Sequence, residues 1–168
     1  VLWVKGSGGD LGTLARGGLA ALRMDRLLAL RGLYRGHAHE DEMVALYAHC
    51  AFGVEGRAPS IDTPLHALVP ARHVDHMHPD AVIAIAAARE GERLTREVFG
   101  GRLGWLGWLR PGFELGMRIA AMARENPGLQ GIVLGGHGVI SWADDSEACY
   151  RLSLDIIETA GRFIEERE

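Results

Sequence analysis

The chain is poor in several features that would each point to a particular function. Lys5 is its only lysine, so an enzyme that forms a Schiff base with its substrate would have to use this one amine. The net charge of −4 provides no basic footprint of the kind that binds nucleic acid. No apolar run approaches the roughly 18 to 20 residues of a membrane span, and no signal peptide is visible. We therefore expect a protein that binds neither nucleic acid nor a membrane.

Cysteine is also scarce. Cys50 and Cys149 are far apart and fit no metal-binding or redox spacing. We expect both to be small buried apolar residues. A reducing compartment, the cytoplasm, is the simplest location for such a chain.

Length and composition predict one domain over residues 1–168, because a chain of 168 residues that is 48% hydrophobic can bury a substantial core. The chain opens on Val1-Leu2-Trp3-Val4, which already has the character of a strand, and residues 163–168 still have helical character. We therefore expect the domain to be truncated at both ends.

Apolar periodicity predicts interleaved strands and helices. Strands are expected at residues 1–5, 19–24, 72–77, 102–109, 131–134 and 139–142. Helices are expected after the cap Asp25, at 40–50 and 62–68, from Pro79 to Ala88, after Pro111, and after a capping box formed by Asp144 and Glu147. Residues 55–60 are expected to form a loop. The turn between the last two strands is too short for a crossover helix, so these strands are antiparallel. The pattern predicts an α/β layered domain with a mixed or mainly antiparallel sheet.

Three histidines form a candidate metal site. His76 and His78 are two residues apart, so a strand would point both imidazoles to the same face. His137 lies in the glycine-rich turn Gly135-Gly136-His137-Gly138. Three neutral imidazoles leave a divalent metal with an open coordination position, which a catalytic site needs. His66 and His73 are competing candidates, although a strand would turn His73 away from His76.

Two further segments carry polar groups that suit a substrate. Backbone N–H groups in Gly6-Ser7-Gly8-Gly9 could form an anion-binding nest, or the segment could be an ordinary tight turn. Asp62 could remove a substrate proton near a metal ion, or it could serve as a helix cap with Ser60. Trp105 and Trp108 could belong to the core or to a pocket wall.

Taken together, these motifs resemble the class II aldolase/adducin family. The order and the gaps match over nearly the whole chain. The matching segments are Lys5-Gly6-Ser7-Gly8, Pro59-Ser60-Ile61-Asp62-Thr63-Pro64-Leu65-His66, His76-Met77-His78, Arg110-Pro111-Gly112 and Gly136-His137-Gly138. Within the family, residues 2–14 and 60–80 most resemble the aldolase half of bifunctional rhamnulose-1-phosphate aldolase/alcohol dehydrogenase proteins.

The resemblance implies a fold, a reaction and an assembly. The implied fold is a three-layer αβα domain with a mixed, mainly antiparallel central sheet. The implied reaction is the zinc-dependent cleavage of a ketose 1-phosphate, such as rhamnulose 1-phosphate, to dihydroxyacetone phosphate and a short aldehyde through an enediolate. Another divalent transition metal could replace Zn2+. Family members are commonly homo-oligomers, and a tetramer is expected here.

The resemblance also assigns roles by position. The zinc ligands of the family fall on His76, His78 and His137. The residues that cradle the substrate phosphate fall on Ser7, Gly8 and Ser60. Asp62 falls where the family usually has a glutamate that acts as the catalytic base.

The chain departs from the family pattern at several points. Asp62 is one methylene shorter than the usual glutamate, and no tyrosine lies between Phe99 and Pro111. The Gly-Asn-x-Ser segment that helps to bind phosphate would precede Val1, and no dinucleotide-binding fingerprint of a dehydrogenase half is present. Two alternatives therefore stay open: a sugar-phosphate epimerase of the same family, and a metal-free, adducin-like interaction domain. The three histidines argue against the second alternative.

Overall fold

A computed structural model describes residues 1–53 and 57–167 of the chain. The first two residues of the predicted loop at 55–60 and the last residue, Glu168, lie outside the described residues. The chain forms two compact units: one comprises Val1–Leu68 and Arg110–Arg118, and the other comprises Val69–Leu109 and the chain from Ile119 onward.

Six strands and seven α-helices make up the described regular structure, together with short 3-10 turns. The strands are β1 (Leu2–Lys5), β2 (Leu19–Leu22), β3 (His73–Met77), β4 (Leu103–Leu106), β5 (Gly131–Leu134) and β6 (Gly138–Ala143). The helices are α1 (Met24–Ala29), α2 (Glu40–Tyr47), α3 (Thr63–Leu68), α4 (Asp80–Ala86), α5 (Gly91–Phe99), α6 (Phe113–Glu125) and α7 (Ser146–Glu165). None of the helices within the described residues is long and apolar enough to cross a membrane.

The first unit is built on a two-stranded antiparallel sheet. β1 pairs with β2 so that Leu2 lies opposite Leu22 and Lys5 lies opposite Leu19. Val4, Ala20 and Leu22 are buried, because alternate residues of a strand face the same side. The predicted cap Asp25 is wrong: Arg23 occupies the N-cap position of α1, and Asp25 lies in the first turn.

The second unit is built on a four-stranded sheet in the order β3-β6-β5-β4. β6 is antiparallel to both β3 and β5, whereas β4 and β5 are parallel. The mixed, mainly antiparallel sheet that the sequence predicts is therefore confirmed.

Helices flank this sheet. α4, α5 and α7 cover one face and share a core with the sheet, in which Val82, Phe99, Val133, Val139 and Ile156 are all buried. On the opposite face, Gly104 of β4 leaves room for α6: a Cβ atom there would lie 3.0 Å from the Sδ atom of Met122.

Two helix predictions differ from the structure. α7 begins after Asp145, whose side chain accepts a hydrogen bond from the amide of Ala148, so Asp145 and not Asp144 is the cap. α5 was not predicted, although Leu94, Val98 and Phe99 recur at helical spacing and pack in the core of the second unit. Ion pairs such as Arg93–Glu97 and Arg96–Glu92, spaced four residues apart, line its exposed face.

Both cysteines are buried and unpaired with each other, as expected. Cys50 and Cys149 are each 1% exposed and have free thiols. They serve as small core residues of the first and the second unit, respectively.

Candidate metal centre

The antiparallel pairing of β3 and β6 brings three histidines together. His76 lies near the end of β3 opposite Ile140, and Met77 lies opposite Val139 near the start of β6. His78 follows β3 directly, and His137 lies in the tight turn that precedes β6. The end of one strand and the start of its neighbour meet at the same place in an antiparallel pair, so the three imidazoles converge there.

The potential ligand atoms of His76, His78 and His137 all lie within 4.8 Å of one another. The Nε2 atoms of His76 and His78 are 3.2 Å apart. The ring centroids are separated by 4.7 Å for His76 and His78, 4.8 Å for His76 and His137, and 4.9 Å for His78 and His137. His76 and His137 are half-buried, whereas His78 is exposed, so a ligand could reach the group from solvent.

The donor set fits zinc. Nδ1 of His76 lies 3.0 Å from the carbonyl oxygen of Val139, and an Nδ1–H that donates to this oxygen leaves the lone pair of a neutral imidazole on Nε2. Zn–N bonds of 2.0–2.1 Å in tetrahedral geometry separate two ligand nitrogens by about 3.4 Å. The 3.2 Å between the two Nε2 atoms is close to that separation. Three protein ligands leave the fourth position open for substrate or water.

Neither competing histidine belongs to this group. His73 is at the exposed start of β3, and His66 lies on α3 in the first unit. Among the described residues, the group of potential ligands consists of His76, His78 and His137.

Glycine is required on both sides of His137. Gly136 has a φ of +63°, which residues with a side chain rarely adopt. A Cβ atom on Gly138 would lie 2.5 Å from the carbonyl oxygen of Met77 and 2.6 Å from the Cδ2 atom of His78. Gly138 therefore makes room for the ring of a candidate ligand.

The predicted phosphate-binding residues lie together in the first unit. Gly6 forms an antiparallel bridge with Pro59, and the amide of Ser7 donates to the carbonyl of Ala58 at 3.0 Å. The turn with Ser7 and Gly8 therefore lies beside the segment that leads to Ser60. The Ser7 amide is already used, so it cannot belong to an anion-binding nest as the sequence suggested.

The positive charge of the only lysine lies on this turn. Nζ of Lys5 donates to the carbonyl oxygen of Gly8 at 2.6 Å. Ser7 and Gly8 are exposed, and Ser60 is half-buried. An anion at the turn would therefore meet an ammonium group and a serine hydroxyl.

Asp62 is held by Ser60. The Ser60 hydroxyl donates to Oδ2 of Asp62 at 3.3 Å, and the amide of Asp62 donates to the Ser60 Oγ atom at 3.2 Å. Oδ1 of Asp62 is buried and accepts no hydrogen bond from the described residues. A buried carboxylate oxygen that accepts no hydrogen bond lowers the stability of the folded protein. An atom of this kind is therefore a candidate for a functional role.

The charge of Asp62 affects a neighbouring tyrosine. Tyr47 is 1% exposed. Burial, and then the negative charges of Glu40 and Asp62, raise the pKa of its hydroxyl. This hydroxyl therefore stays protonated.

The remaining sequence candidates have simpler roles. Trp105 packs against the core of the second unit, whereas Trp108 is 67% exposed. Arg110 forms an ion pair with Asp41. Sequence reasoning missed the carbonyl of Val139 as the partner of His76, because a backbone group leaves no signal in the residue pattern.

Comparison with known proteins gives the same family as the motifs. The model of the family described as "Class II Aldolase and Adducin N-terminal domain" matches residues 1–162. A curated protein of Bacillus subtilis (strain 168), named "Uncharacterized oxidoreductase YuxG", is 38% identical over 167 residues, which are 99% of this chain and 24% of that protein. The chain thus spans about a quarter of the length of this relative.

Solved structures share the fold. The N-terminal class II aldolase domain of a conserved protein from Thermoplasma acidophilum is 29% identical, with a TM-score of 0.85 over 95% of this chain and 73% of that one. L-fuculose-1-phosphate aldolase from Thermus thermophilus is 14% identical, with a TM-score of 0.60 over 97% of this chain and 76% of that one. From residue 1 to residue 162, the chain belongs to the class II aldolase and adducin N-terminal domain family.

Proposed function

We propose that the chain is the aldolase part of a zinc-dependent enzyme that cleaves a ketose 1-phosphate to dihydroxyacetone phosphate and a short aldehyde. The observation that carries the proposal is the convergence of His76, His78 and His137, with ligand atoms within 4.8 Å of one another. An interaction module would have no reason to keep three imidazoles in this arrangement. Membership of the aldolase family supports the same reading.

In this proposal, His76, His78 and His137 hold the metal. Bound zinc would act as a Lewis acid that polarises the carbonyl and hydroxyl oxygens of the substrate. The carbonyl of Val139 holds the ring of His76 so that Nε2 carries the lone pair. Since His78 is exposed, a substrate can reach the three histidines from solvent.

Asp62 is proposed to move the proton. Its carboxylate takes the proton from the substrate hydroxyl at the carbon that becomes the aldehyde. The bond between this carbon and its neighbour in the ketone fragment then breaks, and the electron pair stays on the ketone fragment as an enediolate. Return of the proton from Asp62 to that neighbouring carbon completes dihydroxyacetone phosphate. The buried Oδ1 atom, which accepts no hydrogen bond from the described residues, supports this role.

The substrate phosphate is assigned to Ser7, Gly8 and Ser60. The ammonium group of Lys5, 2.6 Å from the Gly8 carbonyl oxygen, supports the assignment because it adds a positive charge to an exposed turn. A Schiff base with Lys5 is not needed in this proposal, since a bound metal would supply the stabilisation of negative charge that an iminium otherwise provides.

Rhamnulose 1-phosphate is the proposed sugar, on the strength of the segments at residues 2–14 and 60–80. The Bacillus relative is named an oxidoreductase, and only 24% of it matches this chain. A protein in which an aldolase part is joined to a dehydrogenase part would have these two properties. A cytoplasmic homotetramer remains our proposal for the assembly and its location.

The test begins with the metal content of the full-length protein, measured by mass spectrometry. We expect about one zinc per chain, and release of dihydroxyacetone phosphate from rhamnulose 1-phosphate that chelation abolishes and added zinc restores. Asp62→Asn should bind zinc but should no longer cleave the substrate. Asp62→Glu, which restores the usual acid of the family, should retain cleavage.

Two outcomes would overturn parts of this proposal. A zinc-loaded full-length protein that epimerises a sugar phosphate without releasing dihydroxyacetone phosphate would be an epimerase of the same family. A protein that binds no zinc, and gains no activity when zinc is added, would favour the adducin-like interaction domain.

A further inference from the structure

β3, the strand that carries His76, is an edge strand, because β6 is its only neighbour in the sheet as the described residues form it. Consecutive residues of a strand face opposite sides. Asp75 therefore faces away from the metal site, towards α7, where it lies opposite Ser141 of β6.

On that face, Asp75 belongs to a polar network between the sheet and α7. Oδ2 of Asp75 accepts a hydrogen bond from the Ser153 hydroxyl at 2.8 Å. The Ser153 and Ser141 Oγ atoms are 3.0 Å apart. Ser141 and Ser153 are 1% and 3% exposed, so the two serines are shielded from water, whereas Asp75 is half-buried.

Cys149 of α7 lies one helical turn before Ser153 and borders the same carboxylate. Burial, followed by the charge of Asp75 and a hydrogen bond to it, raises the pKa of the Cys149 thiol to about 12. The thiol is therefore protonated and can serve as a second donor towards Asp75.

Apolar residues surround this network in the core between the sheet and its helices. Val139 and Val133 lie on the same face of the sheet, and Ile156 of α7 packs against them. The half-buried carboxylate of Asp75 is stabilised beside this apolar core by the donors that reach it. A shift of β3 by one residue would move Asp75 to the opposite face and turn His76 towards α7. β3 pairs with β6 on one side only, and the network on its α7-facing side favours one register of this pairing.

We infer that Asp75 is a positioning residue of the metal centre: its hydrogen bonds to α7 hold β3 in the register that directs His76 to the face of the sheet away from α7, where its ring meets those of His78 and His137. The inference rests on the proposed function, since it assigns Asp75 to the support of the zinc ligands. The same register keeps the carbonyl of Val139 next to Nδ1 of His76.

The experiment compares Asp75→Ala with Asp75→Asn and with Asp144→Ala, an exposed acid near the end of β6 that serves as the matched control. Zinc affinity is measured by competition with a chromophoric chelator, and ligand geometry by the visible absorption of the cobalt(II)-substituted protein. We expect Asp75→Ala to weaken zinc binding by about 10- to 100-fold, the range found for residues that orient metal ligands, and to change the cobalt spectrum. Asp75→Asn should have a zinc affinity and a cobalt spectrum between those of Asp75→Ala and the wild type. Asp144→Ala should match the wild type in both measurements.

Ser153→Ala provides a second variant if Asp75→Ala does not fold, because it removes the donor hydroxyl and nearly preserves the volume. Like Asp75→Ala, this variant should bind zinc more weakly than the wild type. A folded Asp75→Ala or Ser153→Ala protein with wild-type zinc affinity and an unchanged cobalt spectrum would overturn the inference.

Amide hydrogen exchange in the metal-free protein separates this inference from the proposed function. Exchange at residues 73–77 should be faster in Asp75→Ala or Ser153→Ala than in the wild type, whether or not the wild type binds a metal. Absence of zinc and cobalt binding in the wild type would remove the proposed function. Unchanged exchange at these residues would remove the positioning role of Asp75.

Discussion

The carboxylate of Glu40, at the start of α2, accepts a hydrogen bond from the amide of Phe113, the first residue of α6. The same carboxylate lies 3.3 Å from the amide of Glu114 and 3.2 Å from the hydroxyl of Tyr34. Glu40 is only 1% exposed. The first amides of a helix have no partner within it, so a side chain 73 residues away caps α6.

Replacement of Glu40 by alanine should destabilise the protein. The amides of Phe113 and Glu114 would lose their acceptor inside a buried site, which costs about 1–3 kcal/mol for each unsatisfied group. Asp41→Ala is the matched control: its ion pair with Arg110 is exposed on the Asp41 side, and such pairs contribute about 0–1 kcal/mol. Urea unfolding followed by circular dichroism compares the two variants, and equal free energies of unfolding would contradict the capping role of Glu40.

Gly138→Ala should weaken metal binding and strain the pairing of β3 with β6. The added methyl group would lie 2.6 Å from Cδ2 of His78 and 2.5 Å from the carbonyl oxygen of Met77, so the ring of His78 and the backbone at Met77 must both move. Gly128→Ala is the control, because a Cβ atom there meets nothing within 4 Å. Zinc competition titrations should show weaker binding for Gly138→Ala only. Similar zinc affinities of both variants would mean that the His78 ring can shift without loss.

His137→Ala should abolish stoichiometric zinc binding, since two imidazoles remain where three converge. His73→Ala, which removes an exposed histidine at the start of the same strand as His76, should leave zinc binding intact. Mass spectrometry of the native proteins gives the metal content of each variant. Retention of zinc by His137→Ala, or its loss from His73→Ala, would show that the ligand set is different.

The stability of the protein should fall at alkaline pH, in part through Cys149. Burial, together with the nearby carboxylate of Asp75, raises the pKa of its thiol to about 12, whereas an unfolded cysteine ionises near pH 8.5. Between these values the unfolded state binds fewer protons than the folded state, so the free energy of unfolding decreases as pH rises. Below the unfolded pKa, this contribution to stability is fully present.

Urea unfolding at several pH values from about 8 upward, spanning the unfolded pKa, measures this effect. The decrease in the free energy of unfolding should be less steep for Cys149→Ala than for the wild type. Cys50→Ala is the comparison variant, because Cys50 is the other buried thiol and burial also raises its pKa. If Cys149→Ala and the wild type lost stability in parallel, ionisation of Cys149 would not contribute.

Several parts of the fold and the site could be predicted from local sequence. A strand was predicted at residues 72–77, where β3 lies, and the two-residue spacing of His76 and His78 predicted that their imidazoles would lie close together. The short turn around His137 required β5 and β6 to be antiparallel. These predictions succeeded because strand periodicity and turn length depend on neighbouring residues alone.

Other parts depended on contacts between distant residues. The choice of Asp145 over Asp144 as the cap of α7 depends on where β6 ends. Glu40 resembled an ordinary surface acid in the run Glu40-Asp41-Glu42, although it is buried beneath the start of α6.

The sequence by itself determined which chemical groups are available: imidazoles at strand spacing, a glycine-flanked histidine, a single lysine and an acid beside Ser60. It did so because side-chain chemistry and strand periodicity are local properties. Only the tertiary structure decided that the His76 ring is oriented by a backbone carbonyl, that Asp75 is anchored to α7, and that Glu40 caps a helix 73 residues away. Each of these contacts joins residues at least 63 positions apart, and pairing over such distances is set by packing, which residue order alone does not reveal.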